Sequence, residues 1–218
     1  MSRGGLESDV VPIRLIYERW VSDYQDLWAG RARPLSRLML REVADLKGEP
    51  TMKTQKAIAQ HFQLMYQTAA LNLNGLTPEQ SLAQPSPGGN CANWILGHLM
   101  NVHNGVMSLI GEKPVWESGQ LERAGTEPIT GPAKAIDWNI MRDRFLGSKD
   151  RCLAAISALS DEALAESVPH PFGGTCSRAE LLNILAFHQT YHTGQLALCR
   201  RIAGLEGAVK GPRQTQKA

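Results

Sequence analysis

The stretch from Leu181 to Ile202 restricts the fold more than any other part of the chain. Ser177 stands three residues before Glu180, the spacing of a capping box, so a helix is expected to start here. At about 100° per residue, Leu181, Ile184, Leu185, His188, His192, Gln195, Cys199 and Ile202 share one stripe, the face such a helix turns towards a core. His188 and His192 therefore stand one turn apart on that stripe. Two imidazoles stacked among apolar side chains each need a partner, and the usual shared partner is a metal ion.

Other segments repeat the helical period. Ile58, Phe62, Met65, Ala69, Leu73 and Leu76 give a first helix ending near Gly75. Thr77-Pro78-Glu79-Gln80 is a second helix-start signature, with Pro at N1 and Gln at N3, but Pro85 to Gly89 leaves room for only a short turn. Asn90 is expected to cap a second long helix, Cys91 to Ile110, with Trp94, Ile95, Leu99, Val102, Val106, Leu109 and Ile110 on its stripe. A long loop, Glu112 to Ile136, follows, and loops of that length often cover or line a site. A third helix is read from Trp138 to Leu159, then a short turn after Ser160 and a loop from Pro169 to Gly174. The last helix ends near Gly204. No strand pattern is present, so the expected fold class is all-α, an antiparallel four-helix bundle.

Residues 52–205 carry this pattern as one domain. Residues 1–51 are Arg-rich and lack a long stripe, and 206–218 form a polar tail. Lys47-Gly48-Glu49 can be encoded by codons containing AAGGAG, a ribosome-binding sequence, shortly before Met52. Either Met52 is the true start or the first 51 residues are a genuine, poorly ordered extension, in which Trp20, Tyr24 and Trp28 are the anchors if it packs.

A net charge of +2 leaves no basic patch of the size nucleic-acid binding needs. No apolar run approaches the roughly 20 residues of a membrane span, and the first residues lack the apolar region of a signal peptide. Cys91, Cys152, Cys176 and Cys199 form no CxxC pair and read as reduced thiols of a cytoplasmic protein.

A third metal ligand has to come from another helix. His98 lies about 40° from the centre of the second stripe, and His103 about 140° around from His98, near its edge. Periodicity favours His98 without deciding the matter. His61, His103 and His170 are read as surface or structural residues. A zinc peptidase of the HExxH type is excluded because Gln189 occupies the place of the general-base Glu. A ferritin-like di-iron site fails for want of bundle carboxylates.

Asn93-Trp94-Ile-Leu-Gly-His98-Leu, followed by His188-Gln-Thr-Tyr-His192-Thr-Gly-Gln195-Leu, resembles the DinB/YfiT-like family, and Pro171-Phe172-Gly-Gly is similar too. The resemblance covers about Met52 to Leu205. It implies a four-helix bundle that holds a divalent metal through three histidines, by position His98, His188 and His192. The family includes thiol-dependent S-transferases, a maleylpyruvate isomerase branch and members of unknown activity.

A His₃ set suits zinc or nickel first, with iron and manganese as the other candidates. Trp94, Phe172, Tyr191 and Gln195 are the candidates for a substrate pocket or for supporting the ligands. The Pro85–Asn90 and Pro169–Gly174 loops are the expected lining, with the second and last long helices running parallel. The leading expectation is a transferase that acidifies a low-molecular-weight thiol for attack on a small electrophile. The alternatives are a metal-dependent hydrolase and a non-enzymatic, stress-related metal-binding bundle. A homodimer is the expected assembly.

Overall fold

The computed structural model describes residues 53–86, 88–117, 128–129 and 131–209. The expectations for residues 1–51 and for the end of the polar tail fall outside these. The described elements are α1 (Thr54–Leu73), α2 (Ala92–Leu109), α3 (Trp138–Gly147), α4 (Lys149–Ala158), α5 (Asp161–Ala165), β1 (Ser167–Pro169), β2 (Thr175–Ser177) and α6 (Arg178–Ile202). Single 3₁₀ turns occupy Gln80–Leu82 and Pro132–Lys134.

The start and stop signals act as local chemistry dictates. Ser177 accepts from the amide of Glu180 and opens α6, and Gly204, at φ +82°, ends it in the left-handed region that favours glycine. Thr77 and Gln80 bond each other reciprocally, Thr77 N to Oε1 at 3.1 Å and Gln80 N to Oγ1 at 3.2 Å. Ser160 caps α5 through the amide of Ala163. Helix α2 departs from expectation: its N-cap is Cys91, not Asn90, and no side chain caps it.

Two further expectations are corrected. The helix read from Trp138 to Leu159 is interrupted at Ser148, whose hydroxyl donates to the Phe145 carbonyl at 2.6 Å. A Gly-Ser pair, Gly147-Ser148, with the serine bonded back onto the preceding turn, is a known way to break a helical ladder. The segment before α6 holds a small antiparallel hairpin, with Val168 opposite Cys176, where no strand was expected. Three-residue strands are too short for alternation to register in the sequence. Gly173 and Gly174, at φ +100° and +74°, supply the turn.

Contacts at the helix ends set the directions. Trp138 Nε1 donates to the Leu76 carbonyl, so α3 begins where α1 ends. Gln55 reaches Asp161 at the other end, so α3 and α4 run antiparallel to α1. Asn72 donates to the Thr193 carbonyl, and the Arg200 guanidinium donates to the carbonyl of Asn74, which makes α6 parallel to α1. Cys199 lies against the Asn90 carbonyl while Arg178 donates to that of Leu109, which makes α2 antiparallel to α6. The order is up-down-down-up, and the expectation that α2 and α6 run parallel is wrong.

Two consecutive down helices need a connection that returns along the bundle, and this accounts for the long loop after α2. Two asparagines three turns apart on α2 hold its described ends. Asn104 accepts from the amide of Val115 at 2.8 Å and donates to the Trp116 carbonyl at 2.9 Å. Asn93, 1% exposed, donates to the Ile136 carbonyl at 2.8 Å and accepts from its amide at 3.1 Å. Between the helices, Phe62, Met65, Leu96, Met100, Met141, Phe145, Ile156, Leu182 and Leu196 form the core. Each such side chain, fully buried, contributes about 1.5–3 kcal/mol.

Candidate metal centre

Which face of α6 meets the core differs from the sequence reading. The buried positions are Leu181, Leu182, Ala186, Gln189, Thr193, Leu196 and Cys199, of which Leu181 and Cys199 belong to the expected stripe, and from Leu182 to Leu196 the spacings alternate between four and three residues. That is a core stripe, but Gln189 and Thr193 break its apolar signal. The histidine stripe lies on its flank. His188, His192 and Gln195 are half-buried in the groove between α6 and α2, and Ile202 is exposed.

Antiparallel packing brings His98 to this flank. Cys199 stands opposite Asn90 and Cys91, and His192 is seven residues before Cys199 while His98 is seven after Cys91. Equal numbers of residues at about 1.5 Å each bring the two histidines level. The Nε2 of His188 lies 3.2 Å from that of His192 and 3.4 Å from that of His98. All three ligand atoms fall within 4.8 Å of one another, and among the described residues this is the one such group. Nitrogens about 2.1 Å from a tetrahedral zinc stand about 3.4 Å apart, so the observed spacing fits a single ion.

The electrostatics fit as well. Burial, reinforced by the neighbouring imidazoles His192 and His98, pushes His188 down to about 4. Burial also takes His192 down to about 4; its bond to Gln195 opposes the shift and His98 adds to it. At neutral pH both rings keep the unprotonated nitrogen a metal requires. Gln195 Oε1 lies 2.7 Å from His192 Nδ1 and accepts a hydrogen bond from it, which leaves Nε2 as the lone-pair atom facing the other two rings. His188 has no such support: its Nδ1 is buried without a hydrogen-bond partner.

The aromatic candidates divide. Trp94 stacks on His98 with centroids 5.2 Å apart and planes 16° from parallel. Tyr191 meets His192 edge-on at 5.2 Å and is 57% exposed. Phe172 is 65% exposed at the hairpin tip, its ring tilted against His170. The hairpin joins α6 at Arg178, ten residues or about 15 Å of helix from His188. The two loops expected to line the site therefore lie at opposite ends of the α2–α6 groove, with the Pro85–Asn90 loop at the triad's end.

His103, read as surface or structural and placed by periodicity near the edge of the α2 stripe, is structural and lies in the interior, while His98 is only half-buried. The His103 ring is fully buried, with Nδ1 3.1 Å from Gln189 Oε1 and Nε2 2.6 Å from the Tyr66 hydroxyl. Gln189 and Tyr66 were not recognised in the sequence as a polar pair. The available signal was their place: Gln189 completes the four-and-three spacing of α6, and Tyr66 sits one residue after Met65 on the α1 stripe.

Fold and site together define a helical-bundle protein with three histidines converging from two antiparallel helices at metal-ligand spacing. A model of the DinB superfamily matches residues 61–196, more than half of the chain, and the chain belongs to that superfamily. A crystal structure of a conserved protein from Enterococcus faecalis superposes with a TM-score of 0.54 at 17% identity, over 70% of this chain and 98% of that one. This likeness shows the fold alone. Among curated proteins none matches.

Proposed function

We propose that His98, His188 and His192 hold one divalent metal ion, zinc or nickel before iron or manganese, and that the protein is a transferase joining a small thiol to an electrophile. The convergence of three imidazole nitrogens, His188 Nε2 lying 3.2 Å from that of His192 and 3.4 Å from that of His98, carries this reading. Bound there, the ion supplies a Lewis acid that lowers the pKa of a thiol or water placed on it. Two helices supply all three imidazoles, so the fourth side of the group is left for a small ligand.

The chain's own residues do the rest. Gln195 fixes the His192 tautomer, Trp94 holds the plane of the His98 ring, and the exposed Tyr191 hydroxyl stands beside the site as a hydrogen-bonding group. The cluster of metal-capable groups among the described residues contains no carboxylate. A thiol acidified by the ion needs no general base, whereas water attacking a carbonyl usually has one, which favours the thiol reading over hydrolysis. No described helix is long and apolar enough to cross a membrane, in keeping with a small-molecule substrate met in solution.

The experiment is to load the purified chain with zinc or nickel and present a set of low-molecular-weight thiols with haloaromatic and epoxide electrophiles and, without thiol, a set of simple esters and amides. Thioether formation by the loaded chain that disappears in His188→Ala, with no hydrolysis when thiol is omitted, supports the transferase. Ester or amide hydrolysis without thiol would replace it by the hydrolase. Stoichiometric metal with neither activity would leave a binding protein.

A further inference from the structure

Metal ligation leaves unused a second set of polar groups, which starts between the same two helices and runs on across the bundle to α1 and the α3–α4 junction. Gln189 and His103 are fully buried, Tyr66 is 1% exposed and Ser148 2%. Gln189 Oε1 accepts from His103 Nδ1 at 3.1 Å, the Tyr66 hydroxyl donates to His103 Nε2 at 2.6 Å, and Ser148 Oγ, 2.8 Å from the Tyr66 oxygen, shares its one proton between that oxygen and the Phe145 carbonyl. The row takes one residue from each wall of the bundle: α6, α2, α1 and the junction of α3 with α4. The edges or faces of Phe62 and Phe145 enclose the imidazole at centroid distances of 6.4 and 5.5 Å.

Complete burial removes this row from contact with any substrate, so a catalytic role is out. As a source of stability it is a poor choice, since apolar side chains of the same volume usually serve a core at least as well. Gln189 also leaves its Nε2 without a partner, so its whole hydrogen bonding goes into the contact with His103. What such a row supplies is direction. An apolar stripe of leucine and alanine tolerates sliding or rotation of a helix, whereas a buried imidazole and amide are satisfied in a single register.

The position of the row gives that register a use. Gln189 directly follows His188 on α6, and His103 is five residues, about 7.5 Å of helix, beyond His98 on α2. Any rotation of α6 that parted Gln189 from His103 would swing His188 and His192 away from His98 by a similar angle. Coordination tolerates displacements of only about 0.5 Å. The Asn72 bond to the Thr193 carbonyl, 3.0 Å, ties the same helix to α1 in the same register.

We propose that the buried Gln189–His103–Tyr66–Ser148 row sets the rotation and axial register of α6 against α2, making His103 and Gln189 positioning residues for the metal triad. The proposal rests on the reading that the triad holds a divalent ion.

The test uses the full chain with Co²⁺ as the probe, in Gln189→Met, His103→Leu, the double variant and the milder Tyr66→Phe. Each is expected to keep its helical circular dichroism and one equivalent of Co²⁺, while the dissociation constant rises about 10-fold or more for the first two, within the range of outer-shell substitutions. The visible d–d bands should weaken as the tetrahedral site loosens. Tyr66→Phe should move in the same direction by less. The double variant should be no weaker than the worse single one, because both remove one link. A structural role alone would lower the unfolding midpoint and leave affinity and spectrum at wild-type values, and that result in any folded variant overturns the proposal. Should the wild-type chain itself take up no Co²⁺, the triad reading falls first and this inference with it.

Discussion

His103, His188 and His192 are all held neutral by burial, but His103 is sealed within the core. Burial pushes His103 down to about 4, Gln189 opposing the shift, against about 6.5 in an unfolded chain. A depressed histidine contributes stability that is complete above pH 6.5 and lost as pH falls towards 4, because the unfolded state then binds the extra proton. Metal-free protein is predicted to lose on the order of 2 kcal/mol from this source between pH 7 and pH 4.5. Urea unfolding at the two pH values should show a smaller loss for His103→Leu than for wild type; equal losses would contradict the assignment. At the rim, Gln195→Leu strips His192 of its acceptor and is predicted to weaken zinc binding roughly 10-fold. The unfolding midpoint of the metal-free protein should barely move, since Gln195 is only partly buried. His188 and His192 were legible from their spacing on one helix, whereas periodicity only favoured His98, and the resemblance carried by Gly-His98-Leu singled it out. Gln189 was not, since it breaks an apolar stripe and one sequence cannot separate a core glutamine from a solvated one.

Among the elements, the caps were the most legible, because a cap is settled within four residues. Ser177 with Glu180, Thr77 with Gln80 and Gly204 act as read, and Ser160 caps the short turn read after it, whereas Asn90 does not cap α2. Helix direction was not legible: it depends on how far the connection after α2 travels, and local pattern carries no record of that. The asparagines that guide this connection stand inside α2, where a polar residue reads as solvated. Asn93→Ala leaves the buried amide and carbonyl of Ile136 without partners and is predicted to destabilise the fold by about 1–3 kcal/mol. Asn104→Ala should cost less, its bonds being only partly buried. Denaturant midpoints of the two variants check the ranking, and an Asn93→Ala protein as stable as wild type would remove the crossover's proposed hold.

For the whole molecule, the hydrophobic cluster of the described residues begins at Ile58 and closes at Cys199, with α1, α2, α3–α4 and α6 all contributing. A chain started at Met52 is therefore predicted to unfold at the same temperature as the full chain and to bind metal with the same affinity. Aggregation or early melting would show that residues 1–51 contribute to the fold. The central claim is that three histidines on two antiparallel helices form one metal site, and quantifying metal in protein dialysed against limiting zinc tests it most directly. The account predicts one equivalent in wild type and in His61→Ala, and almost none in His98→Ala, His188→Ala or His192→Ala. One equivalent retained in any of these three variants, or none in the wild-type protein, would contradict it.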